Sequence, residues 1–202
     1  MNSDRIFYIC SYGGCGSKCL MNILKKYGKV EHLHSRYPPN KLEFVGTTPG
    51  VDTEWFNGVP VPEDQLHKYT IIYIYKNPIN AIYSRYYRPD KIKYQKLHQK
   101  YVQLGKNIML KDVLEKNDDL YKIKEFYKNY TTPNSERNYK IISIKYEDLF
   151  EKTEELEKLL NIGPIHIEKR ETKREYPEYD KLYNIYKDLI DEMNNKPFIE
   201  II

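Results

Sequence analysis

Apolar runs that read as strands alternate along this chain with segments whose apolar residues recur at helical spacing. Residues 5–10 (RIFYIC) form a buried-strand pattern that stops at Ser11-Tyr12-Gly13-Gly14. After Gly16-Ser17, Leu20, Ile23 and Leu24 share one helical face, which ends near Tyr27-Gly28. Residues 30–34 predict a second strand, and residues 35–61, rich in proline and glycine, a long loop of the kind that tends to be functional. The plainest strand is 70–75 (TIIYIY), β-branched and aromatic; Asn77-Pro78 breaks it and opens a helix over about 78–87, with proline in the first turn. Residues 89–130 read as mainly helical and charged, with a break near Gly105, and 131–138 as a loop. Residues 140–145 (KIISIK) predict a further strand, followed by helices over 153–161 and within 177–195, where Leu182, Ile185, Leu189 and Met193 are helically spaced. Strands alternating with helices imply an α/β fold: a three-layer sandwich with a central, mainly parallel sheet of four or five strands, in one domain over 1–202.

Composition narrows the function classes. Apolar residues at 40% and charged residues at 31% suit a globular chain rather than a disordered one. The 33 basic residues exceed the 29 acidic ones by a net charge of +4, which favours an anionic ligand. The two signs are interspersed without a long basic run, so no nucleic-acid partner is expected. Cys10, Cys15 and Cys19 crowd one short stretch, an odd number and a poor disulfide framework, with no histidine at zinc spacing. A reduced, cytoplasmic setting without a metal is expected. No secretory pattern and no apolar run of membrane-spanning length occurs, so no membrane partner is expected. The 21 tyrosines accompany many Lys, Asn and Ile and carry no functional weight as a group.

The candidate chemistry begins at Ser11-Tyr12-Gly13-Gly14-Cys15-Gly16-Ser17-Lys18, between a strand and a helix. Unpartnered N–H groups and the macrodipole make a helix start attractive to anions, and glycines let the backbone close around one. Lys18 adds a charge and Ser17 a hydroxyl donor. A phosphate or sulfate fits; a plain tight turn is the other reading of the same glycines. The nucleoside-triphosphate consensus G-x-x-x-x-G-K-S/T is not met, and no strand ends in an aspartate for magnesium, which disfavours an ATP kinase.

The strand 70–75 continues as Lys76-Asn77-Pro78 and, on the next helix, Ser84. This pattern resembles the second signature of the sulfotransferase family: a hydrophobic strand, a basic residue, Asn-Pro, and a helical serine. The resemblance implies a P-loop nucleotide-hydrolase-like fold and 3′-phosphoadenosine 5′-phosphosulfate as donor cosubstrate. It places the donor's 3′-phosphate on Lys76 and Ser84, with lysine for the usual arginine. The glycine turn then corresponds to the family's 5′-phosphosulfate loop, giving nucleotide-binding roles to Gly13, Gly14, Cys15, Gly16, Ser17, Lys18 and Cys19. Gly16 and Ser17 match the family; Gly14 stands where the family has its catalytic lysine or arginine, and Lys18 is the candidate replacement. The segment KIISIKYEDLF resembles a late strand and Tyr-Glu-Asp-Leu element, where Glu147 and Asp148 are capping or packing groups. The run 169–174 lies where the family's late donor loop would occur.

Sulfuryl transfer requires a base for the acceptor's proton and cations for the leaving phosphate. His32 and His34 alternate onto one strand face; His34, nearer the loop, is the candidate base, with His32 and Glu31 behind it. Arg36 is a candidate for donor or acceptor binding, and Tyr37, Trp55 and Phe56 for stacking on the acceptor. The expected enzyme is a sulfotransferase acting on a hydroxyl or amine of a carbohydrate or small molecule. The alternatives are a non-catalytic nucleotide-binding protein on a degenerate sulfotransferase fold, and an atypical P-loop kinase.

Overall fold

The computed structural model describes residues 4–45, 58–87, 92–105, 107–167 and 176–202. Five strands form one sheet in the order β2-β1-β3-β4-β5: β1 Ile6–Cys10, β2 Lys29–Leu33, β3 Tyr69–Tyr75, β4 Ile141–Lys145 and β5 Ile199–Ile201. The first four are mutually parallel, and β5 runs antiparallel to β4. The sheet is therefore mainly parallel, as the alternation of strand and helix predicts; β5 is an addition to that expectation.

Helices α1 Ser17–Leu24 and α6 Thr153–Leu160 cover one face, where Phe7, Ile9, Ile72, Ile74 and Ile144 are buried against Leu20, Leu24 and Leu156. On the other face Tyr8, Cys10, Ile71, Tyr73 and Tyr75 meet α2 Pro78–Tyr86, α5 Ile123–Thr131 and α7 Tyr179–Asn195. Alternate strand residues point to opposite faces, and both faces are covered. That is why β1 and β3 read as near-continuous apolar runs rather than as alternating ones. Two further helices, α3 Ile92–Tyr101 and α4 Leu110–Lys116, lie in the charged stretch.

Tyrosine supplies much of the second core. A buried tyrosine needs a partner for its hydroxyl. Tyr130 donates to the Ser35 carbonyl at 2.8 Å and Tyr186 to Asp119 Oδ1 at 2.7 Å, both from fully buried rings. The long loop after β2 is tied at its base, where Phe44 N–H reaches the Val59 carbonyl at 3.0 Å and Val61 N–H the Leu42 carbonyl at 2.7 Å.

The strand order positions the site. From β1 the chain crosses to β2 on one side, whereas β3 pairs with β1 on the other. The connections leaving the carboxyl ends of β1 and β3 diverge there, opening the crevice where ligands of open α/β sheets collect. The glycine turn follows β1, and Lys76 follows β3. Among the described residues no helix is long and apolar enough to cross a membrane.

Candidate anion site at the carboxyl ends of β1 and β3

The turn after β1 is left-handed at Gly13, Gly14 and Gly16, with φ of 107°, 73° and 78°. An L side chain rarely adopts such angles. Each of these glycines also leaves room for another element. A β-carbon on Gly14 would stand 2.7 Å from the Ala81 carbonyl oxygen and 3.2 Å from Ser84 Cβ, so α2 lies directly on the turn. One on Gly13 would stand 2.9 Å from Arg85 Nη2 and would run into His98. One on Gly16 would collide with the Tyr146 ring. Gly16 is the N-cap residue of α1 and makes no side-chain cap to that helix's first N–H groups.

The end of β3 is fixed by capping. Asn77 precedes α2, and its side-chain oxygen accepts from Ile79 N–H at 3.0 Å and Asn80 N–H at 3.4 Å, with Pro78 at the first helical position. Glu147 Oε1 accepts from Asn77 N–H at 2.9 Å, and Asp148 pairs with Lys145 at 3.2 Å, so both acids are the capping and packing groups expected. Lys76 Nζ lies 4.5 Å from the centre of the Tyr146 ring. One aromatic ring thus lies against both the glycine turn and Lys76. Ser84 is exposed on α2, beside Gly14. The Gly13–Lys18 turn, Lys76 and Ser84 therefore share one end of the sheet.

Two imidazoles hold the turn's first carbonyls. His34 is buried, and its Nδ1–H donates to the Ser11 carbonyl at 2.6 Å. His98, from α3, donates Nε2–H to the Tyr12 carbonyl, which leaves Nδ1 to accept from the Tyr86 hydroxyl at 2.8 Å. Burial, together with neighbouring histidines and Arg85, holds both imidazoles well below their ordinary value, so both are neutral at neutral pH. The ring of His34 lies 4.3 Å from that of His32 and 5.2 Å from that of His98, centre to centre.

The remaining candidates divide. Lys18 is exposed in the first turn of α1, and Cys19 is partly exposed. Ser17 and Cys15 are buried, so Cys15 faces the site through its backbone; burial pushes its thiol up to about 12. None of the three cysteines is in a disulfide. Glu31 pairs with Lys29 at 2.9 Å. Arg36 is buried and engaged with the Gln103 carbonyl at 2.6 Å and Glu125 at 3.5 Å; Tyr37 donates to the same Glu125 at 2.8 Å. Those contacts make Arg36 a brace for the loop. Trp55, Phe56 and the run 169–174 lie outside the described residues. Arg85, His98 and Tyr146 were not singled out by sequence. Arg85 had one available signal, its place beside Ser84, and Tyr146 another, as the first residue of the Tyr-Glu-Asp-Leu element; His98 reaches the turn by long-range packing that leaves no local pattern.

The site defines an α/β protein in which a glycine turn after β1 and a lysine after β3 converge at the switch point of its sheet. No protein-family model, curated protein or solved structure matches the chain.

Proposed function

We propose that the protein is a sulfotransferase, moving a sulfuryl group from 3′-phosphoadenosine 5′-phosphosulfate to a hydroxyl or amine of a carbohydrate or small molecule. The finer fold assignment, a P-loop nucleotide-hydrolase-like sandwich, belongs to the same proposal. The observation that carries it is the meeting of the two motifs: a β-carbon on Gly14 would lie 3.2 Å from Ser84 Cβ, on neighbouring parallel strands' connections. A ligand with phosphates at both ends suits two anion-binding elements this close.

In this reading the amides from Gly13 to Cys19 and the Lys18 side chain hold the 5′ side. Lys76 and Ser84 hold the 3′-phosphate, Lys76 as a point charge rather than a bidentate fork. His34 is the base: with its Nδ1–H committed to Ser11, Nε2 is the basic atom of the neutral ring. The test is transfer of labelled sulfate from the donor across an acceptor panel, beside magnesium-dependent ATP turnover. Donor-dependent labelling without ATP turnover is expected; ATP turnover alone would contradict the reading. His34→Ala should lower transfer by about 100-fold or more with donor affinity unchanged, and an unchanged rate would remove His34 as base.

The absence of a cation at Gly14 favours a second reading, a nucleotide-binding protein without catalysis. Tight binding of 3′-phosphoadenosine 5′-phosphate with no transfer to any acceptor would select it.

A further inference from the structure

We propose that Arg85, on α2, supplies the cation on the donor's 5′ side that position 14 of the glycine turn lacks; this rests on the sulfotransferase reading above. Position 14 has no room for a cation of its own. Position 14 is left-handed, and a β-carbon there would press on the Ala81 carbonyl oxygen and Ser84 Cβ. A lysine at that position would have to displace α2. What occupies the neighbouring space is a guanidinium: Arg85 Nη2 and Nε would lie 2.9 and 3.1 Å from a β-carbon on Gly13. The glycines that exclude a loop lysine thus admit an arginine from the adjacent helix.

Among the described residues Arg85 also has no counter-ion. Its Nε is buried with no hydrogen-bond partner among them. The groups around it, His98 and His34, are neutral imidazoles. A partly buried, unneutralised guanidinium is costly to keep unless an anion completes it. Ser84, the preceding residue, carries the proposed 3′-phosphate contact, so a single helical turn of α2 serves both ends of the donor. Lys18, the other candidate, is exposed on α1.

The step balances without a further reactant. The acceptor oxygen or nitrogen bonds to sulfur as the bond from sulfur to the bridging phosphate oxygen breaks. That electron pair stays on the departing 5′-phosphate, and the acceptor's proton passes to His34. Arg85 donates to the oxygen on which the charge accumulates, the contribution expected of an electrostatic stabiliser.

Calorimetry with three probes separates the roles: adenosine 5′-phosphate, adenosine 3′-phosphate and 3′-phosphoadenosine 5′-phosphate. Arg85→Gln should weaken the 5′-phosphate and the bisphosphate by about tenfold or more, leaving the 3′-phosphate within about twofold. Arg85→Lys, which keeps the charge but not the fork, should be intermediate, and it carries the test if Arg85→Gln does not fold. Equal weakening of all three probes, or wild-type affinity for adenosine 5′-phosphate in both variants, would overturn the assignment. A wild-type protein that binds none of the probes would overturn the donor reading itself, and this assignment with it. Binding of the bisphosphate with an unaffected Arg85 variant would overturn this assignment alone.

Discussion

Gly14 and Gly16 combine two constraints that usually occur apart, a left-handed backbone and a neighbour pressed against the missing side chain. The first costs an L residue about 1–2 kcal/mol, and overpacking adds about 1–3 kcal/mol. Gly16→Ala should therefore lose about 2–5 kcal/mol in chemical denaturation, because the Tyr146 ring must move; an unchanged midpoint would show that the ring yields freely. Restoring the family's charge with Gly14→Lys should destabilise the fold and gain no transfer activity. A faster enzyme would contradict the account of why that position is glycine. The turn and the Lys76-Asn77-Pro78 and Ser84 pattern were legible because glycine, proline and Asn-Pro carry backbone meaning within a few residues. Arg85 was not, since nothing local says that a helix residue reaches back over a turn more than 70 positions earlier.

At the scale of elements, β1, β3, β4 and the helices of both layers follow from apolar runs and helical spacing, because a sheet covered on both faces demands them. The three-residue β5 did not, since its pairing with β4 is set by tertiary context rather than by length or alternation. The stretch 89–130 reads as mainly helical, and α3 within it carries the imidazole that fixes the Tyr12 carbonyl. The junction of β3 with α2 is the element most exposed to a single change. Asn77→Ala removes the acceptor for Ile79 and Asn80 N–H and should cost about 1 kcal/mol. Because that cap also sets the direction of α2, the variant should bind adenosine 3′-phosphate more weakly as well. Thermal melting and calorimetry check the two effects separately, and full affinity at reduced stability would detach the cap from the site.

Across the whole molecule, the neutral histidines couple folding to pH. His34 and His98 resist protonation when folded, while the unfolded chain takes up those protons below about pH 6.5. The unfolded state then binds more protons, so stability is full above that value and falls as the pH is lowered. Melting temperature should drop between pH 7.5 and pH 5.5, and less steeply in His34→Gln; a flat profile would contradict the buried neutral assignment.

The central claim is that one adenosine bisphosphate spans the carboxyl ends of β1 and β3. A crystal structure with 3′-phosphoadenosine 5′-phosphate bound tests it most directly. The account predicts the 5′-phosphate against the amides of Gly13 to Cys19 and the 3′-phosphate against Lys76 and Ser84. A nucleotide seated elsewhere, or one that reaches only one of these two elements, would contradict it.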